Sequence, residues 1–116
     1  MYRFMHVGFT FPGVPKVRDL EPVFLAMGDD WIRYSLTSWI MWTEKPAAEI
    51  YIKLRSHIDS NDQVLITKLD LTDSCGSVSL WIWTWINNKG ALPIIAVGKP
   101  VEDAMQKYLS LPKPIT

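Results

Sequence analysis

Two segments of alternating residues follow one another with almost no connection between them, and this feature limits the fold most. They are residues 31–36 (Trp-Ile-Arg-Tyr-Ser-Leu) and residues 38–43 (Ser-Trp-Ile-Met-Trp-Thr), separated by Thr37. Alternation at period two is typical of β-strands, and a connection this short joins strands that are antiparallel neighbours. The middle of the chain is therefore predicted to form a β-hairpin.

A strand and a helix are predicted on the N-terminal side of this hairpin. Residues 4–11 are mostly apolar or β-favouring and are closed by Pro12-Gly13, which predicts a strand. An apolar stripe at helical spacing follows, at Leu20, Val23, Phe24 and Met27. We expect this helix to begin near Asp19, as an N-cap, with Pro22 in its first turn, and to end at Gly28.

A second helix and a fourth strand are predicted after the hairpin. Pro46 suits a first helical turn, and a stripe follows at Ala47, Ile50, Tyr51, Leu54 and Ile58. Residues 64–69 read as a strand. The order β-α-β-β-α-β predicts an α+β, ferredoxin-like two-layer sandwich over residues 1–88.

The C-terminal part of the chain is harder to interpret. Trp81, Trp83 and Trp85 alternate as in a strand, but the spacing of residues 81–86 also suits a helix, and we favour a helix that starts after Ser79. Residues 89–116 are predicted to be a C-terminal extension that packs on the same domain. Within it, residues 92–97 suggest a strand and residues 101–109 a helix.

Charge and cysteine content exclude several classes of protein. Twelve basic and twelve acidic residues give a formal net charge of zero, which argues against binding nucleic acid or membranes by bulk charge. Cys75 is the single cysteine and cannot form an internal disulfide, so a cytoplasmic location is expected. The most apolar stretches fall short of the ~20 residues that cross a bilayer. No membrane association is predicted.

Two runs of residues, 34–40 and 54–66, carry a recognisable pattern. They resemble the SinR-like proteins, which are short ferredoxin-like chains related to the small dimeric nucleases of CRISPR adaptation, and the similarity covers roughly residues 3–88. The resemblance implies a homodimer and an origin in a phage or mobile element, where the protein would modulate a host nucleoprotein machine. The nuclease relatives hold a metal ion with an aspartate at the end of the first strand. Gly8 occupies that place here, so the resemblance does not carry the catalytic acid with it.

The tryptophans are the most unusual feature of the composition. There are six in 116 residues, and in alternating strands they cannot all point inward. Some of them should therefore line an interface with a protein partner or a second copy. The candidate partner-binding residues are Trp39, Trp42, Trp81, Trp83 and Trp85. This interpretation describes a non-catalytic interaction protein without a cofactor.

The alternative is a metal-dependent nuclease or nucleic-acid-binding dimer of the CRISPR-adaptation type. Its phosphate-binding candidates are the cations Arg33, Lys53, Arg55 and Lys68. Mg²⁺ would bind Asp29, Asp30 or Asp59, since carboxylate oxygens are its usual protein ligands.

The three aspartates, together with His6 and Cys75, also have simple structural explanations. Asp29 and Asp30 suit a solvated loop, and Asp59 suits a turn whose side chains bind backbone amides. We expect His6 to be a partly buried strand histidine and Cys75 to be a spectator thiol.

Overall fold

The structure is a computed structural model that describes residues 1–89. The chain divides into two compact units, residues 1–69 and residues 70–116. The first unit contains a four-stranded antiparallel sheet and two α-helices, and the described part of the second contains a third helix. The predicted α+β class is thus confirmed. The predicted domain boundary at residue 88 stays a prediction.

The elements follow the predicted order through residue 69. They are β1 (Arg3–Thr10), α1 (Val17–Met27), β2 (Asp30–Ser35), β3 (Ser38–Thr43), α2 (Ala47–Leu54) and β4 (Gln63–Leu69). A short 3-10 helix at Arg55–His57 continues α2. In the sheet the strands stand in the order β2-β3-β1-β4, and every neighbouring pair is antiparallel. Strands β2 and β4 therefore form the two edges.

Helix α1 begins earlier than the sequence predicts. It starts at Val17, so Asp19 lies in the first turn and does not cap the helix, and Pro22 lies inside the helix. The Lys16 carbonyl accepts the amides of Asp19 and Leu20, at 3.2 and 3.1 Å. Leu20, which follows in the first turn, is fully buried in the core.

The end of α1 is as predicted. Gly28 adopts a left-handed conformation with φ of 80°, and its amide donates to the Leu25 carbonyl at 3.2 Å. A residue with a Cβ is strained in this conformation, which is why glycine is favoured at helix C-termini.

One face of the sheet packs against α1 and α2 to form the core of the first unit. Met5, Val7 and Phe9 project from β1 onto this face, and Trp39 and Met41 project from β3 beside them. The helices contribute the remaining fully buried side chains, Leu20, Phe24, Ile50 and Leu54. Trp39 stacks on Phe24 with ring centroids 4.8 Å apart and planes 3° from parallel. A single apolar layer therefore holds the helices on the sheet.

The predicted stripe of α2 is only partly correct. Ile50 and Leu54 are fully buried, but Tyr51 is 45% exposed. Ile58 lies beyond the helix, because the 3-10 helix intervenes and ends in extended backbone at Ile58. The predicted stripe is therefore wider than the part of the surface of α2 that is buried against the sheet.

The second unit is described from residue 70 to residue 89. Helix α3 (Leu80–Asn88) begins directly after Ser79, as predicted. Residues 70–79 contain turns but neither helix nor strand. The predicted strand at 92–97 and the predicted helix at 101–109 lie outside the described residues.

The stack of Trp39 on Phe24 gives a first testable prediction. We expect Trp39→Ala to lower the free energy of unfolding by about 3–5 kcal/mol, because it removes a large buried ring and leaves a cavity. Denaturant unfolding followed by circular dichroism measures this loss. Leu25→Ala on the exposed side of α1 is the control and should change stability by less than about 0.5 kcal/mol. Equal effects of the two substitutions would contradict the assigned packing.

Candidate functional site

Helix α3 carries the most exposed of the six tryptophans. Trp81 is 53% exposed, and its neighbours Leu80 and Val78 are 61% and 39% exposed. These three residues are called here the α3 surface. Trp85 lies one turn after Trp81 and is half-buried, with the ammonium group of Lys89 5.1 Å from its ring centroid. Trp83 projects from another side of the helix and is buried.

The tryptophans of the sheet are not on an exposed surface. Trp39 is fully buried on the helix-facing side, so it is a core residue and is not available to a partner. Trp42 points to the opposite face and is half-buried between Phe4, at 4.7 Å, and Tyr2, at 5.9 Å between ring centroids. Trp31, at the β2 edge, packs near Phe24. Of the predicted partner-binding set, only Trp81 is highly exposed.

A histidine–tyrosine pair lies on the sheet face opposite the helices. His6 Nε2 lies 2.8 Å from the Tyr34 hydroxyl, a hydrogen bond that reaches from β1 across β3 to β2. Partial burial lowers the pKa of His6 below its usual value, because burial disfavours the charged ring. The expectation of a partly buried strand histidine is confirmed. The sequence offered no signal for Tyr34 as its partner.

Gly8 makes room for this histidine ring. A Cβ built on Gly8 would lie 2.8 Å from His6 Cε1, closer than real Cβ contacts. Since Gly8 and His6 are two residues apart on one strand, their side chains share a face. The ring of His6 thus occupies the space into which a side chain at position 8 would project.

The predicted phosphate-binding cations are not brought together. Arg33 Nε donates to Glu21 Oε1 at 3.1 Å, and the Arg33 guanidinium lies over the Trp39 ring. Lys53 lines a groove between α1 and α2, with a volume of about 490 Å³. Arg55 lines a different cavity, beside β4, and Lys68 is exposed on β4 itself. These cations therefore face three different parts of the surface.

Asp29 has a structural role between the end of α1 and the end of β3. Its Oδ2 accepts hydrogen bonds from Lys45 Nζ at 2.5 Å and from Thr43 Oγ1 at 2.9 Å. Lys45 also donates to the Met27 carbonyl, so the cation covers the C-terminal end of α1. Asp30 accepts the amide of Trp31 at 3.0 Å. The solvated-loop explanation is wrong for Asp29, which is largely buried, and only partly correct for Asp30, which is exposed but begins strand β2.

A lysine ties the start of α1 to the turn before β4. Lys16 Nζ donates to Asp59 Oδ2 at 2.8 Å and to Asp62 Oδ2 at 2.5 Å. Asp62 Oδ2 also accepts the amide of Asp59 at 2.8 Å, which confirms the predicted turn chemistry. The hydrogen bonds from Lys16 and from the Asp59 amide lower the pKa of Asp62, and the two carboxylates raise the pKa of Lys16.

The three candidate metal ligands do not form one site. Asp59 lies near Lys16 at the start of α1, whereas Asp29 and Asp30 follow its end. The 11 residues of α1 correspond to a separation of about 16 Å along the axis. In the described range, residues 1–89, no three histidine, cysteine or acidic side chains cluster closely enough to hold a metal ion.

Comparison with known proteins gives no relative for this chain. No family model, curated protein or solved structure matches it significantly. Across residues 1–89, no helix is both long enough and apolar enough to span a membrane.

The contact between Gly8 and His6 gives a second prediction. We expect Gly8→Ala to push the His6 ring away from Tyr34 and into solvent, so that the pKa of His6 rises towards its ordinary value near 6.5. NMR titration of the imidazole protons measures this shift. Tyr34→Phe is the control: it removes the hydrogen bond without displacing the ring, so the pKa should stay low. An unchanged titration in Gly8→Ala would contradict the packing.

The ion pairs of Lys16 with Asp59 and Asp62, called here the clamp, give a third prediction. The folded-state pKa of Asp62 is lower than the unfolded value of about 3.9. Its stabilising contribution is therefore present above about pH 4 and is lost as the pH falls through the folded-state pKa. We expect Asp62→Asn to flatten the acid limb of stability, measured by urea unfolding between about pH 2 and 7.

The matched control for the clamp is Asp59→Asn. The Asp59 side chain is 78% exposed, whereas that of Asp62 is 2% exposed, so the Asp59 variant should retain most of the acid limb. If both variants titrate like the unsubstituted chain, the clamp contributes nothing to acid stability and our explanation of the turn is wrong.

Proposed function

We propose that this chain is a non-catalytic interaction protein that docks on another protein through the α3 surface. The observation that carries the proposal is the exposure of Val78, Leu80 and Trp81 on one short segment, with Trp81 53% exposed. A large, rigid aromatic ring loses little conformational freedom on binding and buries much apolar area, which is why tryptophan is frequent in binding hot spots.

The chemistry around the α3 surface indicates the kind of partner. Helix α3 contains no charged residue, and Lys89 directly follows it. Its N-terminus has no acidic residue in the first turn and no side-chain cap. Since the N-terminal end of a helix carries partial positive charge, a complementary surface would present an apolar pocket with an acidic rim.

The fold class and the resemblance to SinR-like proteins are also part of this proposal. The element order β-α-β-β-α-β and the sheet order β2-β3-β1-β4 support a ferredoxin-like arrangement of the first unit. The His6 ring beside Gly8 argues against the nuclease route of the resembled family, because a side chain at position 8 would collide with it. An aspartate there would require His6 to leave Tyr34.

The nuclease alternative has less support in the contacts of the candidate residues. Arg33 is paired with Glu21, and Asp29 is engaged by Lys45 and Thr43. The remaining cations are divided between two places: Lys53 lines the groove between α1 and α2, whereas Arg55 lies beside β4 and Lys68 on it, so the three do not form the continuous basic groove that a nucleic-acid backbone follows.

Site-specific crosslinking tests the proposal in two steps. A photoreactive phenylalanine derivative is placed at position 81, or at exposed position 25 as the matched control, and the protein crosslinked only from position 81 is identified and purified. Binding of that partner to the full chain is then measured by calorimetry. We expect Trp81→Ala to weaken binding at least about tenfold and Trp81→Phe to weaken it less, since phenylalanine keeps part of the apolar contact.

Three outcomes would contradict the proposal. The first is equal crosslinking from positions 81 and 25, and the second is unchanged affinity of Trp81→Ala. The third is cleavage of RNA or DNA that requires a divalent metal and is abolished by Asp29→Ala, Asp30→Ala or Asp59→Ala, which would favour the nuclease. The homodimer stays a prediction, and light scattering of the unsubstituted chain measures its mass.

A further inference from the structure

The two edges of the sheet differ in how well they could accept another strand. At the β2 edge, the register with β3 shifts between Arg33 and Ser35, and the Arg33 guanidinium folds back to the Ser35 carbonyl at 3.2 Å. Irregularities and charged residues of this kind protect an edge from pairing. Strand β4, by contrast, pairs with β1 in unbroken register from Gln63 to Leu69.

The outer edge of β4 has hydrogen-bonding capacity to offer. In an antiparallel sheet, alternate residues of an edge strand direct their N–H and C=O groups away from the neighbouring strand. Among residues 1–89, no strand pairs with this side of β4. Strand β4 contains no proline and only one charged residue, Lys68. It therefore presents a regular row of donors and acceptors.

A groove runs between this edge and α2. One cavity of about 300 Å³ is lined by Ala47, Ala48, Tyr51, Val64 and Ile66. A second, of about 720 Å³, shares Tyr51 and Val64 with the first and extends to Arg55. The smaller cavity is mostly apolar, and the small side chains of its two alanines leave space beside the strand, whereas most residues that line the larger cavity are polar. A strand added to β4 would place every second side chain in this groove.

The charges at the groove favour acidic groups on the occupant. Arg55 lines the larger cavity, and Lys68 shares the groove-facing side of β4 with Val64 and Ile66. Within the described chain neither cation forms an ion pair. The two carboxylates of the larger cavity, those of Asp59 and Asp62, are both engaged by Lys16.

We propose that the groove between α2 and β4 binds an extended peptide segment of a partner protein, which adds to the sheet beside β4. The segment would place apolar side chains on Val64 and Ile66 and acidic side chains near Arg55 and Lys68. An extended backbone fits because it alone matches the spacing of an edge strand over several residues. This surface belongs to the first unit, whereas the α3 surface belongs to the second.

A designed peptide tests this proposal on the full chain. The probe is acetyl-Glu-Thr-Val-Thr-Val-Thr-Glu-amide, whose valines and glutamates share one face when it is extended. We expect it to shift the backbone amide NMR signals of β4 and to slow hydrogen exchange of the outer-edge amides. A control peptide, N-methylated along its central Val-Thr-Val, cannot donate these hydrogen bonds and should bind at least about tenfold more weakly.

Charge reversal tests the orientation in the groove. We expect the double variant Arg55→Glu and Lys68→Glu to weaken the acidic peptide by about three- to tenfold and to prefer a peptide with lysine at both ends. Lys53→Glu is the matched control, because Lys53 lies in α2, two residues before Arg55, but lines the groove with α1. It should leave binding of both peptides nearly unchanged.

Four results would overturn the proposal. One is the absence of any shift in β4 up to about 1 mM peptide, the weak end of specific binding. Another is equal binding of the N-methylated peptide. A third is a peptide-free chain whose outer-edge amides are already protected; protection that falls on dilution would assign the edge to a second copy. The fourth is competition by a single-stranded oligonucleotide that the double charge reversal abolishes.

Discussion

The stack of Trp39 on Phe24 is the contact on which the first unit depends. Trp39 lies on an inner strand of the sheet, Phe24 lies in the middle of α1, and both side chains are fully buried. Their parallel rings fix the distance between the helix layer and the sheet. The indole N–H of Trp39 has no acceptor among the described residues. The free energy gained by burying the apolar ring must therefore exceed the free-energy cost of this unmade hydrogen bond.

This packing divides the sheet into two chemically different faces. Because side chains alternate along each strand, fixing Trp39 toward the helices places its neighbours Ser38 and Ile40 on the other face. That face also receives His6, Gly8 and Tyr34. The absence of a side chain at Gly8 is what allows His6 to lie flat against the strand and reach Tyr34 across β3. Gly8 therefore has a packing role in this structure.

Local features of this fold are readable from the sequence, and long-range ones are not. The hairpin, the end of α1 at Gly28 and the start of α3 after Ser79 follow from period and turn residues that act over a few positions. The clamp between Lys16 and Asp62 joins residues 46 positions apart, so no local pattern announces it. The start of α1 at Val17 also lacks a local signal, because the N-cap residue Lys16 makes no side-chain hydrogen bond to the helix, whereas Asp19 has the side chain of a typical cap.

The exposure of the candidate binding residues also depends on long-range packing that the sequence does not show. The excess of tryptophan predicts several exposed rings, but only Trp81, on a helix, is highly exposed, and alternation alone does not say which face of β3 meets the helices. Trp39 and Trp42 are three residues apart and so fall on opposite faces, and only the packing of α1 decides that Trp39 is the buried one. Similarly, Arg33 has the sequence context of a free cation, yet Glu21 on α1 pairs with it.

The neutral net charge determines how such a protein can recognise a partner. With 12 basic and 12 acidic residues, the chain lacks the long-range field that accelerates encounter with a charged partner. At the surfaces proposed above, affinity would therefore come from short-range contacts that slow dissociation, namely buried apolar area and directional hydrogen bonds. Both surfaces proposed above are of this kind: the α3 surface offers apolar area at Trp81, and the β4 edge offers a row of backbone groups beside an apolar groove. The cations at the β4 edge, Arg55 and Lys68, are too few to attract a partner from a distance, so in the proposed complex they would act on which segment binds.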